Sequence, residues 1–242
     1  MRRRAVLTLL VAVAAALVPA AAATAATADQ ELVERGRSLF LEGCASCHGE
    51  NANGTNRAPD LHGVGARSAD FYLSTGRMPL AVPGEEPLRN PPFYSDEEID
   101  SLVAYVGSLG GPPVPQVDPD AGNLSDGERA FTIFCAGCHG KLAVGGVVTG
   151  AIAPPLHSAT PTQIAEAVRV GPYVMPAFDE RVIDGPTLSS IVRYVELTTR
   201  HPDNRGGWAL GSIGPITEGM VAFFIGLASL LIVARLIGER GA

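Results

Sequence analysis

Two short runs carry most of the chemistry open to this chain: Cys44-Ala45-Ser46-Cys47-His48 and Cys135-Ala136-Gly137-Cys138-His139. Between them they hold all four of its cysteines. Two thiols spaced by two residues can add to the two vinyl groups of one porphyrin. A histidine directly after the second thiol is then forced under the ring as a ligand to iron. Cys-x-x-Cys-His is the attachment signature of c-type haem for this reason. Three other readings fit less well. Disulfides suit an even cysteine count in an exported protein, but they leave both histidines unexplained. Structural zinc wants paired motifs closing a four-fold shell. A redox dithiol needs neither the histidine nor the duplication. The expectation is two covalently bound haem c groups, held by Cys44 and Cys47 and by Cys135 and Cys138, with His48 and His139 as axial iron ligands.

An electron-carrying iron needs a second strong donor on the opposite ring face. Of four methionines, Met1 is the initiator and Met220 lies in an apolar stretch. That leaves Met78 and Met175, each followed by proline, which favours extended backbone at the preceding residue. Lys141 is the only lysine, so lysine cannot serve both sites. His62 and His157 also recur and stand as rival ligands. Thioether plus imidazole ligation raises the potential of the iron and closes it to exogenous ligands. That favours electron transfer over oxygen or peroxide chemistry.

These residues recur in one order, so the elements that position them recur too. Gly36-x-x-x-Phe40 precedes the first cysteine run, and Gly127-x-x-x-Phe131 precedes the second. Ala58-Pro59-Asp60-Leu61-His62 and Ala153-Pro154-Pro155-Leu156-His157 follow, then Met78-Pro79 and Met175-Pro176. Each unit closes on a helical pattern, Leu102 to Val106 and Ile191 to Val195, containing Tyr105 or Tyr194. Such internal repetition marks a tandem duplication. Leu32, Val33, Leu39 and Phe40 fit one helical face entering the first motif. Ser95 with Glu98 reads as a capping box opening a helix whose stripe is Ile99, Leu102, Val103 and Val106. No strand-like alternation of useful length appears. Gly and Pro, 28 and 19 in number, fall largely between helical patterns and suit loops around a cofactor.

Arg2, Arg3 and Arg4, an apolar run to about Leu17 and Ala26-Thr27-Ala28 form a secretory signal, residues 1–28, with Asp29 as the mature terminus. An uncleaved N-terminal span is the other reading. The first repeat unit covers 29–110, a Pro-rich linker 111–122, the second unit 123–200 and another linker 201–214. Residues 215–238 include an uncharged apolar run, Gly219 to Ala234, long enough with its flanks to cross a bilayer. Trp208 stands before it as an interfacial aromatic, and Arg235 can snorkel at its end. Residues 239–242 then form a cytoplasmic tail. The formal net charge of −7 and pI near 5.2 exclude the basic footprint of a nucleic-acid binder.

With these landmarks assembled, each unit resembles class I cytochrome c. The resemblance implies an all-α fold of two tandem cytochrome c domains followed by one C-terminal transmembrane helix. It implies that a Phe-bearing first helix crosses a Tyr-bearing last helix. It also implies that the carbonyls of Pro59 and Pro154 accept from Nδ1–H of His48 and His139, which tunes the ligand. The Pro-x-Leu segment then falls on the proximal side, which places His62 and His157 away from the sixth position. The whole layout, with Ser74-Thr75-Gly76-Arg77-Met78-Pro79 and Gly214-Pro215-Ile216-Thr217-Glu218-Gly219-Met220, resembles the diheme cytochrome c subunit of the actinobacterial-type cytochrome bcc complex, a menaquinol–cytochrome c reductase. That likeness implies cytochrome b and Rieske iron–sulfur subunits as partners and a terminal oxidase as acceptor. It places the haem domains on the extracytoplasmic side of the cell membrane. The chain alone would be the electron carrier, with translocase activity belonging to the complex. The alternative is a diheme carrier subunit of another membrane dehydrogenase. A diheme peroxidase needs an open iron, which two methionine ligands deny, and a haem sensor needs a signalling domain.

Overall fold

A computed structural model of the chain describes residues 29–200 and 215–239. The signal segment, the linker 201–214 and residues 240–242 lie outside the described residues. Contacts group these residues into two compact units. One holds the chain to Asp118 together with Ala159–Leu188. The other holds Pro119–Ser158 and the chain from Ser189 onward.

In the first unit, helix α1 (29–43) leads into the one-turn helix α2 (Ala45–His48), followed by α3 (Ala66–Ser74) and α4 (Asp96–Ser108). Helix α4 starts where the capping box sets it. The Ser95 N–H and hydroxyl both donate to the Glu98 carboxylate at 2.9 Å. Asp96, Glu97 and Glu98 place negative charge against the N-terminal end of the helix dipole. Its buried face is Ile99, Leu102, Tyr105 and Val106, with Ser101 alongside. Val103 lies half-buried at the edge of this core.

Helix α1 crosses α4 at Gly36, where an added Cβ would run into the Ser101 carbonyl and the Tyr105 Cβ. One turn later Phe40, 1 % exposed, packs on Tyr105 with ring centroids 5.2 Å apart and tilted by 48°. Leu32 is not covered by this crossing. It is exposed, while Val33 and Leu39 reach the core. The crossing is centred on Gly36 and Phe40, and Leu32, one turn before Gly36, falls outside it.

The segment 159–188 belongs to this unit because helix α7 (Pro161–Val170) packs against α3. A capping box of Thr160 and Gln163 opens α7, with proline in the first turn where no N–H is missed. Left-handed Gly171, φ 63°, ends it. The buried Arg169 guanidinium donates to the carbonyls of Phe178, at 3.0 Å, and Ile183, at 2.7 Å, which pins the chain after the helix.

The second unit contains helix α5 (Leu124–Phe134), the one-turn α6 (Ala136–His139) and the part of α8 (Gly185–Arg200) from Ser189 onward. The Asn123 side chain caps α5 by accepting from the N–H groups of Ser125 and Asp126. The crossing seen in the first unit recurs. A Cβ on Gly127 would meet the Ser190 carbonyl and the Tyr194 Cβ. Phe131 and Tyr194 lie 5.3 Å apart with a 48° tilt. A short antiparallel hairpin, β1 (Gly146–Val148) with β2 (Ala151–Ala153), departs from the purely helical expectation. Three-residue strands are too short to register as alternation.

Helix α9 (Pro215–Glu239) is one continuous element. Its stretch Gly219–Gly238 is long and apolar enough to cross a membrane, about 30 Å at 1.5 Å per residue. Phe223, Phe224, Leu230, Leu231 and Ile237 are all exposed. An apolar helix that no described residue outside it covers is suited to lipid.

Candidate haem attachment sites

The first site grows from the end of α1. The Cys44 N–H donates to the Phe40 carbonyl at 2.8 Å, and the N–H groups of Cys47 and His48 donate to the Cys44 carbonyl at 3.1 and 2.9 Å. This single turn puts two thiols and an imidazole on one short rigid element. Neither thiol is in a disulfide, so both remain available for addition to a porphyrin. Nδ1 of His48 lies 2.9 Å from the Pro59 carbonyl. A carbonyl only accepts, so Nδ1 carries the proton and Nε2 keeps its lone pair.

Met78 is half-buried against the core cluster of Phe40, Leu102 and Tyr105, as are Cys44 and Leu61. Its N–H donates to the Tyr72 carbonyl at 3.0 Å, which ties the methionine loop to α3. Gly76, at φ 62°, makes the reversal between them. His62 is exposed and bonded to its neighbour. Its Nδ1 lies 2.7 Å from Asp60 Oδ1, and its N–H donates to the same oxygen.

In the second unit, Cys135, Cys138 and His139 repeat the turn with bonds of 3.1 and 2.9 Å to the Cys135 carbonyl. Nδ1 of His139 lies 3.0 Å from the Pro154 carbonyl. His139 is buried, and burial holds its pKa below the usual histidine value, partly opposed by the Pro154 bond. The imidazole is therefore neutral at neutral pH, the form in which it can ligate. Burial pushes the Cys135 thiol up to about 11, with Cys138 adding to the shift. The Tyr194 hydroxyl donates to the Lys141 carbonyl at 2.8 Å, just past the motif. His157 is exposed. Met175 falls in the segment grouped with the first unit. It is half-buried, and its N–H donates to the Pro172 carbonyl at 3.0 Å.

Two features bear on whether these residues fit haem c. The first is the donor set, two thiols and one oriented imidazole per turn. The second is a pair of buried donors with no acceptor among the described residues, Nε of Arg67 and Nε of Arg77. Buried N–H groups of this kind are seldom left unmet, and they suit the propionate carboxylates of a porphyrin. Arg77 sits next to Met78 and lies 5.2 Å from the Phe71 ring centroid. Sequence reading gave it no role, although it stands in the quoted Thr-Gly-Arg-Met-Pro run. Tyr94 was also unforeseen. Its hydroxyl bonds the Cys44 thiol, and burial, then Cys44, pushes the phenol up to about 12.

Comparison with known proteins gives these sites a context. The cytochrome c family model matches residues 33–110. The model for cbb3-type cytochrome c oxidase subunit III matches residues 122–195. The chain thus contains two cytochrome c domains in tandem, mostly helical, a domain type that implies haem c. It is 32 % identical to the cytochrome bc1 complex cytochrome c subunit of Corynebacterium diphtheriae, over 90 % of this chain and 84 % of that one. It is 37 % identical to the protein of the same name from Mycobacterium tuberculosis, over 90 % and 81 %. It is also 33 % identical to a cbb3-type cytochrome c oxidase subunit CcoP of Azospirillum, over 66 % of this chain and 60 % of that one. The chain belongs to the family of cytochrome c subunits of the cytochrome bc1 complex.

Proposed function

We propose that this chain is the diheme electron-carrying subunit of a respiratory quinol–cytochrome c reductase of the bcc type, relaying electrons from a Rieske iron–sulfur subunit towards a terminal oxidase. The observation that carries the reading is the duplicated turn. In each unit a Cys-x-x-Cys-His helix presents both thiols, and its histidine is oriented by a proline carbonyl, at 2.9 Å for Pro59 and 3.0 Å for Pro154.

Haem c, when bound, supplies a one-electron iron couple. The chain's own residues do the rest. Cys44 and Cys47 hold one group, and Cys135 and Cys138 the other. His48 and His139 would bind the iron through Nε2, while the carbonyls of Pro59 and Pro154 fix the tautomer and would raise ligand basicity. Met78 and Met175 would supply thioether donors to the iron, a ligation that favours a high potential and an iron closed to other ligands. Helix α9 anchors the chain in the cell membrane with both haem units on the extracytoplasmic side. The chain alone is a carrier, and turnover of quinol belongs to the complex with cytochrome b.

Affinity purification of the full chain in mild detergent tests the assignment. Cytochrome b and Rieske subunits should co-purify, with oxidase subunits in the larger assemblies. Recovery of a substrate dehydrogenase in their place would move the chain to the alternative reading.

A further inference from the structure

Helix α7 buries a carboxyl group that electron carriage does not require. Glu166 is 0 % exposed, and neither carboxylate oxygen finds a donor among the described residues. Its neighbour across the helix contact is Asp70 on α3, itself half-buried. One turn from each acid the helices are joined by polar bonds. Gln163 Nε2 donates to the Ser74 carbonyl at 3.3 Å and to its hydroxyl at 3.2 Å. Asp70 with Ser74, and Gln163 with Glu166, therefore line one seam, since residues three and four apart share a helix face.

Two ionised carboxylates are a poor occupant of that seam. Each can only accept, and two like charges near one another in a buried site strongly disfavour ionisation of both. Among the described residues no ion pair joins a cation to either acid, and Arg89, which reaches the seam, donates to Gln163 Oε1 at 3.1 Å. Arg169 on α7 is engaged by the carbonyls of Phe178 and Ile183. Arg67, one turn before Asp70, is in no ion pair among the described residues. Asp100, on α4, adds further negative charge near Asp70. No group of three His, Cys, Asp or Glu side chains among the described residues is placed to hold a metal ion.

We propose that Glu166 and Asp70 form a proton-binding site, in which one proton is shared and a neutral Glu166 donates to the Asp70 carboxylate. Burial, then the charge of Asp70, pushes Glu166 up to about 9. Burial likewise raises Asp70. The bound proton fastens α7 to α3, the helices that run into the Met175 and Met78 loops. The site stands whether or not those methionines bind iron.

The sign of its effect on stability follows from linkage. A carboxyl whose folded pKa is raised favours the native state fully below its unfolded value. That contribution is lost as pH rises through about 9.

Infrared titration of the full-length, haem-loaded protein in detergent tests the proposal. At neutral pH the wild type should show a carboxylic-acid C=O stretch that is absent from Glu166→Gln. In Asp70→Asn the same stretch should titrate at lower pH, because the like charge is gone. If Glu166→Gln retains the whole band, Glu166 is ionised and the proposal is wrong. If Asp70→Asn leaves the titration midpoint unmoved, the proton is not shared and the paired site is wrong. Should Glu166→Gln fail to fold, carbon-13 labelling of glutamate in the wild type decides the point. The band must then shift with the label, and a band that does not shift overturns the assignment.

Discussion

Nδ1 of His48 lies 2.9 Å from the carbonyl oxygen of Pro59. That one bond fixes which imidazole nitrogen carries the proton, and it leaves Nε2 on the other side of the ring as the only ligating atom. His139 and Pro154 repeat the relationship in the second unit. Two such imidazoles beside two thiol pairs are the basis of the proposed two haems. Denatured, acid-acetone-washed protein should retain two haems per polypeptide in a pyridine haemochrome assay. Cys138→Ala together with Cys135→Ala should reduce that to one, with the remaining haem still attached at Cys44 and Cys47. Retention of one or none by the wild type would defeat the diheme reading.

The helix crossings give a second prediction. Gly127 lies against the Ser190 carbonyl, and Gly36 against that of Ser101. An added methyl group at either position meets backbone, which cannot rotate away as a side chain can. Gly127→Ala or Gly36→Ala should destabilise its own unit by about 1–3 kcal/mol, the usual cost of overpacking. Chemical denaturation followed by absorbance and circular dichroism would measure it. Alanine at exposed Gly137, with open space around its Cβ position, is the control and should change stability little.

Much of this architecture can be read from the chain. Gly36, Phe40 and Tyr105 and their counterparts Gly127, Phe131 and Tyr194 are visible as a repeat, and they turn out to be the contact points of two helix crossings. The capping residues Ser95 and Glu98 also announce themselves, because a cap is a local arrangement. What escapes is what depends on distant partners. Glu166 looks like an ordinary helical acid until α7 is laid against α3. Tyr94 becomes informative only when its hydroxyl is found beside Cys44. The β1–β2 hairpin is too short to impose a period. Leu32 fits the helical spacing, yet the crossing lies too far along α1 to cover it.

Helix α9 gives a third prediction. Its exposed apolar side chains are costly in water, at about 25 cal/mol per Å² of apolar surface. Ending the chain after residue 200 should release the haem units as a coloured soluble protein once signal cleavage is verified. If the truncated protein with a cleaved signal stays in the membrane fraction, α9 is not the anchor.

The sixth ligands make the sharpest prediction. Each attachment turn offers one imidazole, and the remaining candidate donors are few. Lys141 is the sole lysine. His62 is exposed and held by Asp60 at 2.7 Å, and His157 is exposed. Met78 is half-buried on the core that also contacts Cys44, and its loop is tied back to α3 through the Tyr72 carbonyl. Met175 follows α7 in the corresponding place. Thioether ligation favours reduced iron, whereas imidazole at the same position favours the oxidised form. Met78→His or Met175→His should therefore keep its haem low-spin and lower its midpoint potential. Each should also abolish that haem's share of the weak methionine–iron band in the near infrared. The other haem should keep its spectrum and potential, so each variant blocks one half of the relay. Redox titration with absorbance and magnetic circular dichroism reads both haems at once. If either variant leaves both potentials and the whole band unchanged, that methionine is not a ligand, and His62 or His157 becomes the residue to replace next.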